Sequence, residues 1–191
     1  MAANDRFYID KENSVYLLVD VQTQLFSVMS EIDRQEVEKN TSILVAGMKE
    51  LGVPVVVTEQ YTKGLGVTIG SLQQGLGELY RPLEKLAFSC WGEQPIREKI
   101  KGSGKNQVII SGIETHVCIL QTVLDLIANG YTVHVVADAI CSRFSSDRQY
   151  ALEMMKQMGA VITSTEIVLF QLLKLAGGQQ FKAISKLVKN R

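Results

Sequence analysis

The sequence predicts an α/β fold in which helices cover both faces of a parallel sheet. Short and nearly continuous apolar runs, such as residues 15–19, alternate with longer segments whose apolar residues recur at helical spacing. Such a run is typical of a strand buried on both faces. Glycines close several helical segments at Gly52, Gly130 and Gly159, where a C-cap glycine is common. This alternation of strand and helix predicts βαβ units and therefore a parallel sheet.

The predicted elements follow one another regularly, apart from one segment in the middle of the chain. Residues 59–92 interrupt the alternation of strand and helix, and this segment contains five glycines from Gly64 to Gly77. We expect a long excursion there that includes a short strand at residues 83–88. No composition shift or repeat divides the chain, which predicts a single domain over residues 1–191. The other predicted strands are residues 15–20, 53–58, 107–111, 131–137 and 160–163, and the predicted helices are residues 33–51, 115–129 and 146–158.

The composition indicates a compact domain with a sizeable core and no unusual charge. Of the 191 residues, 46% are hydrophobic, and twenty basic residues balance twenty acidic ones. A net charge of zero does not favour nucleic acid or an anionic membrane as a partner. No apolar stretch approaches the ~20 residues of a membrane span, and the first ten residues do not resemble a signal peptide. Three cysteines do not make a disulfide framework. We therefore expect a cytoplasmic protein.

Ligands of open parallel sheets bind beyond the carboxyl ends of the strands, so the residues at those ends are the candidate site residues. Asp20 ends the first run, Lys85 lies in or near the short strand, and Cys118 lies near the start of a helix. A nucleophilic role requires a thiol pKa well below its usual value of about 8.5. A helix N-terminus and the Lys85 ammonium can lower the pKa, and Asp20 can accept the proton. From spacing alone, however, Cys118 is more often a small core residue, Asp20 a helix cap and Lys85 a solvated side chain.

A resemblance connects these three positions. Residues 15–22, the segment around Lys85 and residues 112–118, "GIETHVC", resemble the isochorismatase-like cysteine hydrolase superfamily, in the same order along the chain. The similarity is greatest to short isochorismatase-domain proteins and extends to "VTEQYTKGLG" and "GYTVHVVADAICSR". Three separate motifs in order make a specific signal, whereas any one of them alone would be weak.

The resemblance implies a three-layer α/β/α sandwich with a six-stranded parallel sheet. It also implies a catalytic triad of Asp20, Lys85 and Cys118, with Cys118 as the nucleophile. A further implication is a cis peptide bond between Ile113 and Glu114, which would direct backbone N–H groups, including that of Cys118, toward a developing oxyanion.

The position of a possible metal site departs from one branch of this superfamily. Nicotinamidases have an Asp and histidines after the second strand, where this chain has Gln60 and Thr62. An amide and a hydroxyl are poor ligands for a borderline metal ion. We therefore expect no metal and no cofactor.

The expected function is hydrolysis of a small amide or related C–N substrate. The alternatives are a vinyl ether hydrolase of the isochorismatase type and a non-catalytic oligomeric or RNA-interacting protein. Nucleic acid and membrane are not expected partners, although the C-terminal segment is basic at Lys182, Lys186, Lys189 and Arg191. The residues expected to contact the substrate are Gln22, Gln60, Tyr61, Phe88 and Trp91.

A homo-oligomer is expected from residues 165–177, "TEIVLFQLLKLAG". If it forms one helix, this segment is apolar around most of its circumference and must be covered on a second side, for which a partner subunit is the usual cover. The alternative is that a C-terminal helix at residues 179–189 folds over it within the same chain.

Overall fold

The computed structural model describes residues 5–189, and these contain one six-stranded parallel sheet. Its strands are β1 (Ser14–Val19), β2 (Val55–Gln60), β3 (Leu83–Lys85), β4 (Gln107–Ile113), β5 (Thr132–Cys141) and β6 (Val161–Thr163). Their order across the sheet is β3-β2-β1-β4-β5-β6, and all neighbouring pairs are parallel. The predicted six-stranded parallel sheet is confirmed.

Helices cover both faces of this sheet. A π-helix at Thr115–Ile119 leads directly into the α-helix that begins at Leu120, and short 3₁₀ turns occur at Asp5–Phe7, Lys11–Asn13, Gly77–Leu79 and Cys90–Gly92. Within residues 5–189, no helix is long and apolar enough to cross a membrane. The α-helices are α1 (Thr23–Ser27), α2 (Glu31–Leu51), α3 (Thr62–Leu65), α4 (Gly70–Leu76), α5 (Gln94–Gly102), α6 (Leu120–Ala128), α7 (Ser145–Gln157), α8 (Thr165–Leu173) and α9 (Gly178–Lys189).

The central strand β1 explains why the sequence shows a continuous apolar run. Its side chains alternate between two core layers: Tyr16 and Leu18 pack toward α2 and α8, whereas Leu17 packs with residues of α5, α6 and α7. Every residue of β1 is fully buried, because helices lie on both sides and strands flank both edges. The three-layer α/β/α arrangement follows from this double burial.

Several strands end at a different residue from the one predicted. β2 extends to Gln60, β3 ends at Lys85, and β5 continues to Cys141 past a register shift against β4. At the end of β4, Gly112 has a φ of 129°, and a Cβ there would lie 1.9 Å from the Val19 carbonyl oxygen. Glycine therefore permits β1 and β4 to approach closely where both strands reach the candidate site.

The C-terminal helices differ from the prediction of one helix over residues 165–177. Helix α8 ends at Leu173 because Lys174 has a positive φ of 62°, so Leu175 lies outside it. Helix α9 packs against α8 and α2 of the same chain. Ile167 is 50% and Phe170 37% exposed, while three other apolar residues of α8 (Val168, Leu169 and Leu172) are buried. The segment is therefore not one helix, and α9 covers part of it within the chain, while Ile167, Phe170 and Leu175 stay exposed. Arg191 lies outside the described residues.

Candidate functional site

The carboxyl ends of three strands bring Asp20, Lys85 and Cys118 into contact. Asp20 directly follows β1, Lys85 is the last residue of β3, and Cys118 lies in the π-helix that follows β4. The Lys85 Nζ atom lies 2.7 Å from Asp20 Oδ2 and 3.4 Å from Cys118 Sγ. Because β2 separates β3 from β1, the long Lys85 side chain spans the end of β2 to reach Asp20. All three residues are buried.

The Lys85 ammonium lies within a ring of hydrogen-bond acceptors. Besides Asp20, it donates to Gln60 Oε1 at 2.5 Å, to the Phe88 carbonyl at 2.9 Å and to the Ala87 carbonyl at 3.2 Å. An ammonium group has only three N–H donors. The oxygen acceptors therefore suffice to occupy them, and the contact of Lys85 with Cys118 Sγ at 3.4 Å is the longest in the ring.

Burial and neighbouring charges set the protonation of these groups. Burial disfavours the charge on Lys85, but the attraction of Asp20, with those of Cys90 and Cys118, outweighs it, and the pKa of Lys85 is raised. Burial raises the pKa of the Cys118 thiol, and the Asp20 carboxylate raises it further, while Lys85 only partly opposes them. The expectation of a lowered thiol pKa is therefore wrong for this state, in which Cys118 is protonated.

Thr58 orients the Asp20 carboxylate and connects it to a second cysteine. Thr58 Oγ1 donates to Asp20 Oδ1 at 2.7 Å and lies 3.8 Å from Cys90 Sγ. Burial raises the pKa of Cys90 to about 11. No pattern in the sequence indicates Cys90, because its approach to the site depends on the path of the excursion after β3. Asp20 has a φ of 52°, an unusual value for a residue other than glycine.

Gln22 and Gln60 hold each other in place beside the triad. Gln22 Nε2 donates to the Gln60 carbonyl at 2.9 Å, and Gln22 Oε1 accepts from the Gln60 backbone N–H at 2.6 Å. Gln60 Nε2 donates to the Leu86 carbonyl at 2.8 Å, which directs its Oε1 atom to Lys85. The Leu86 carbonyl can only accept and the Lys85 ammonium can only donate, so the amide orientation is unambiguous.

The segment before Cys118 has the expected backbone geometry. The peptide bond between Ile113 and Glu114 is cis. The Glu114 carboxylate is buried and accepts from the backbone N–H and the Nε of Arg143 at 3.1 and 3.0 Å. This ion pair anchors the start of the π-helix to the segment that follows β5.

Gln60 and Thr62 are both engaged in contacts within the protein. Gln60 contacts Lys85, and Thr62 Oγ1 donates to Glu84 at 2.6 Å. Among residues 5–189, no three His, Cys, Asp or Glu side chains are grouped so that they could hold a metal ion.

A cavity of about 380 Å³ opens against Lys85. It is lined by Tyr61, Lys63, Glu84, Lys85, Leu86 and Glu93.

Two other aromatic residues expected at the substrate site occupy different environments. Phe88 has an exposed side chain and contributes its carbonyl to Lys85. Trp91 is buried in the core layer of α5 and α6, with its ring edge-on to Tyr131. Trp91 therefore has a packing role in the core, and its contact with substrate stays a prediction.

Comparisons with known proteins agree with this architecture. The family model described as Isochorismatase domain matches residues 14–167. The chain is 41% identical over 180 residues to the secreted isochorismatase effector Isc1 of Phytophthora sojae, covering 93% of this chain and 85% of that protein. It is 37% identical to isochorismatase domain-containing protein 2 of Danio rerio, covering 94% and 89% of the two chains.

Solved structures with the same fold include two with informative descriptions. The Mar1 ribonuclease of Caenorhabditis elegans superposes with a TM-score of 0.87 and 36% identity, over 95% of this chain and 92% of that one. The YcaC gene product of Escherichia coli, described as an octameric hydrolase of unknown specificity, superposes with a TM-score of 0.89 and 25% identity, over 96% and 90%. With its parallel sheet, its site at the strand ends and these matches, the chain belongs to the isochorismatase family.

Proposed function

We propose that this protein is a cysteine hydrolase that acts on a small amide or a related C–N bond. The observation that supports this most is the simultaneous contact of Lys85 with Asp20 and Cys118, at 2.7 and 3.4 Å. A nucleophile, a proton acceptor and a fixed positive charge are the groups that acyl transfer through a thiol requires. A cavity of suitable size for a small molecule opens against Lys85, one of the three residues.

In the first half of the reaction, Cys118 attacks the carbonyl carbon of the amide. Because the thiol is protonated at rest, its proton passes to Asp20 as the C–S bond forms. Asp20 then gives this proton to the leaving nitrogen as the C–N bond breaks, which releases an amine or ammonia. Lys85 stabilises the negative charge while it resides on sulfur, and it remains an ammonium throughout.

In the second half, water attacks the thioester carbon and Asp20 takes one proton from it. The C–S bond breaks, the carboxylic acid leaves, and the proton returns to the sulfur of Cys118. The negative charge on the carbonyl oxygen in both halves requires donors at that position, for which backbone N–H groups of the segment from Ile113 to Cys118 are the candidates.

The test is an activity screen of the purified protein against small amides, ureas and isochorismate. We expect hydrolysis of at least one amide or urea, abolished in Cys118→Ala. Cys141→Ala is the matched control, because Cys141 is also buried but lies at the end of β5. Hydrolysis that survives in Cys118→Ala would contradict the proposal, and turnover of isochorismate alone would favour the vinyl ether alternative.

RNA cleavage is a second candidate, which the description of the Caenorhabditis elegans neighbour as a ribonuclease suggests. The site geometry supports it less. The Lys85 charge is paired with Asp20, and the basic residues of α9 belong to a helix that packs on α2 and α8. Incubation with single-stranded RNA under the same conditions, with Cys118→Ala alongside, tests it directly.

We also propose that the protein assembles into a homo-oligomer. The structurally similar YcaC gene product of Escherichia coli is described as an octamer, which suggests this. Ile167 and Phe170 of α8 remain partly exposed and are candidates for contact. Light scattering should give a multiple of the 21.2 kDa chain mass. A mass of one chain at micromolar concentration would contradict assembly.

A further inference from the structure

Tyr61 lies at the mouth of the cavity beside Lys85 with an unusual backbone conformation. Its φ of 38° and ψ of 67° lie in the left-handed region, which residues other than glycine rarely adopt. Residues held in such conformations concentrate at functional sites, because the surrounding structure must fix them there. Specific contacts are therefore required to hold Tyr61 in place.

The backbone of Tyr61 is tied on both sides. Its N–H donates to the Lys85 carbonyl at 3.0 Å, and its carbonyl accepts from the N–H groups of Gly64 and Leu65 at 2.9 and 3.0 Å. The first bond links Tyr61 to the strand residue whose ammonium contacts Cys118. The distance between Tyr61 and the triad is thus set by main-chain hydrogen bonds.

The ring of Tyr61 is placed by the absence of a side chain at Gly64. A Cβ at Gly64 would lie 2.4 Å from Cε1 and 2.7 Å from Cδ1 of the ring, much closer than real Cβ atoms approach. Gly64 does not have a positive φ, so its backbone does not require glycine. The glycine therefore serves to admit the Tyr61 ring, which lies against it.

What the ring presents to the cavity is a flat and largely apolar surface. Tyr61 is 50% exposed and Leu86 71% exposed, and both line the cavity. The two carboxylates of the cavity wall are already engaged: Glu84 accepts from Thr62, and Glu93 accepts from the backbone N–H groups of Leu86 and Ala87. The wall carries Lys63 besides these carboxylates, so the surface left for an apolar group is that of Tyr61 and Leu86.

We propose that the Tyr61 ring, held in place by Gly64, is a platform that binds a flat apolar substituent next to the reacting amide carbon. Tyr61 would then be the residue that selects amides with a flat substituent over small aliphatic ones. This inference rests on the proposed function, since it assumes that the electrophilic carbon of the substrate reaches Cys118.

The test compares how fast Cys118 is alkylated by acrylamide and by N-phenylacrylamide, which differ by one flat ring. In both reactions the sulfur bonds to the β-carbon and a proton ends on the α-carbon, so no further reactant is needed. Peptide mass spectrometry gives the rate at Cys118, and glutathione gives the intrinsic rate ratio of the two probes. The selectivity of the protein is its rate ratio divided by that of glutathione.

We expect the wild-type protein to favour N-phenylacrylamide by roughly three- to tenfold, the range of aromatic contacts. Tyr61→Ala and Gly64→Ala should remove most of this preference, and Tyr61→Phe should retain it. Gly70→Ala is the matched control, because a Cβ at Gly70 meets no atom within 4 Å and its backbone does not require glycine; it should behave as the wild type.

The outcomes separate this inference from the proposed function. Labelling of Cys118 with an equal preference in the wild type and Tyr61→Ala would overturn the platform but leave the nucleophile intact. A preference unchanged in Gly64→Ala would overturn the role of the glycine. Failure of both probes to label Cys118 would contradict the proposed function itself, and the platform with it.

Discussion

The carboxyl end of the sheet and the middle of β5 both bury ionisable side chains, with opposite results. At the strand ends, Lys85 and Asp20 are buried together with their charged atoms 2.7 Å apart. In β5, His134 is also fully buried, but neither of its ring nitrogens has a hydrogen-bond partner within the described residues. Burial lowers the pKa of His134 to about 4, whereas the pKa of Lys85 is raised.

This difference shows what a buried charge requires. An ionised group stays charged in the interior only when a partner compensates for the lost water, and otherwise it becomes neutral. A buried ion pair is seldom more stable than a well-packed apolar pair of the same volume. The pair of Lys85 and Asp20 is therefore better explained by chemistry at the site than by stability of the fold. Neutral His134 is sufficiently explained by its packing.

The largest expected effect comes from removing the positive charge of the pair. Lys85→Met leaves the Asp20 carboxylate buried and uncompensated, which should lower the free energy of unfolding by about 3–5 kcal/mol. The double variant Lys85→Met/Asp20→Asn removes both charges and should recover much of this loss. Urea denaturation at pH 7 measures all three proteins. If Lys85→Met were as stable as the double variant, the charge of Asp20 would not depend on compensation by Lys85.

The neutral histidine of β5 should instead make stability depend on pH. The unfolded chain protonates His134 below its ordinary pKa of about 6.5, while the folded chain resists protonation down to about 4. Stability is therefore full above pH 6.5 and falls as the pH drops from 6.5 to 4, by about 3 kcal/mol from this residue. In His134→Leu, the free energy of unfolding should lack this part of the pH dependence. Equal slopes of both proteins in urea denaturation between pH 7 and 4 would contradict the neutral state of His134.

A smaller effect is expected when a charge is added beside the pair. Gln60→Glu places a carboxylate where the amide oxygen contacts Lys85 at 2.5 Å and lies 3.9 Å from Cys118 Sγ. The new charge opposes thiolate formation, and a rise of one pKa unit would slow alkylation of Cys118 at pH 8 about tenfold. Gln157→Glu, an exposed position on α7, adds the same charge far from the triad and should have no effect. Alkylation that is equally fast in both variants would show that Gln60 has no influence on the thiol.

The sequence predicted the parts of this architecture that depend on local pattern. The continuous apolar run of β1 predicted a strand buried on both faces, because burial between two helix layers leaves no polar position. Asp20 and Lys85 were candidates because of their places at strand ends, and only the resemblance implied that they act at one site. Recognition of Cys118 as their partner came from the order of the motifs, since periodicity alone does not bring distant segments together.

The features that the sequence did not predict depend on three-dimensional surroundings. The raised pKa of Cys118 results from its burial and from the distance to Asp20, neither of which is encoded in spacing. The contact of Gln60 with Lys85 arises because β2 lies between β1 and β3. Trp91 lies in the segment after β3, where no periodicity of apolar residues distinguishes a core residue from one that lines the cavity.

If Asp20, Lys85 and Cys118 act as one unit, Asp20 is the acceptor of the thiol proton. The decisive experiment is the pH profile of Cys118 alkylation in the wild type and in Asp20→Asn, together with hydrolysis of the best amide from the screen. Asp20→Asn removes the charge that raises the pKa of Cys118 and leaves the thiolate as the anion that compensates Lys85. The pKa of Cys118 should therefore fall and alkylation near neutral pH should be faster, yet hydrolysis should be lost because no base remains. A Cys118 pKa that is unchanged or higher in Asp20→Asn, or hydrolysis that persists there, would show that the three residues do not work together in this way.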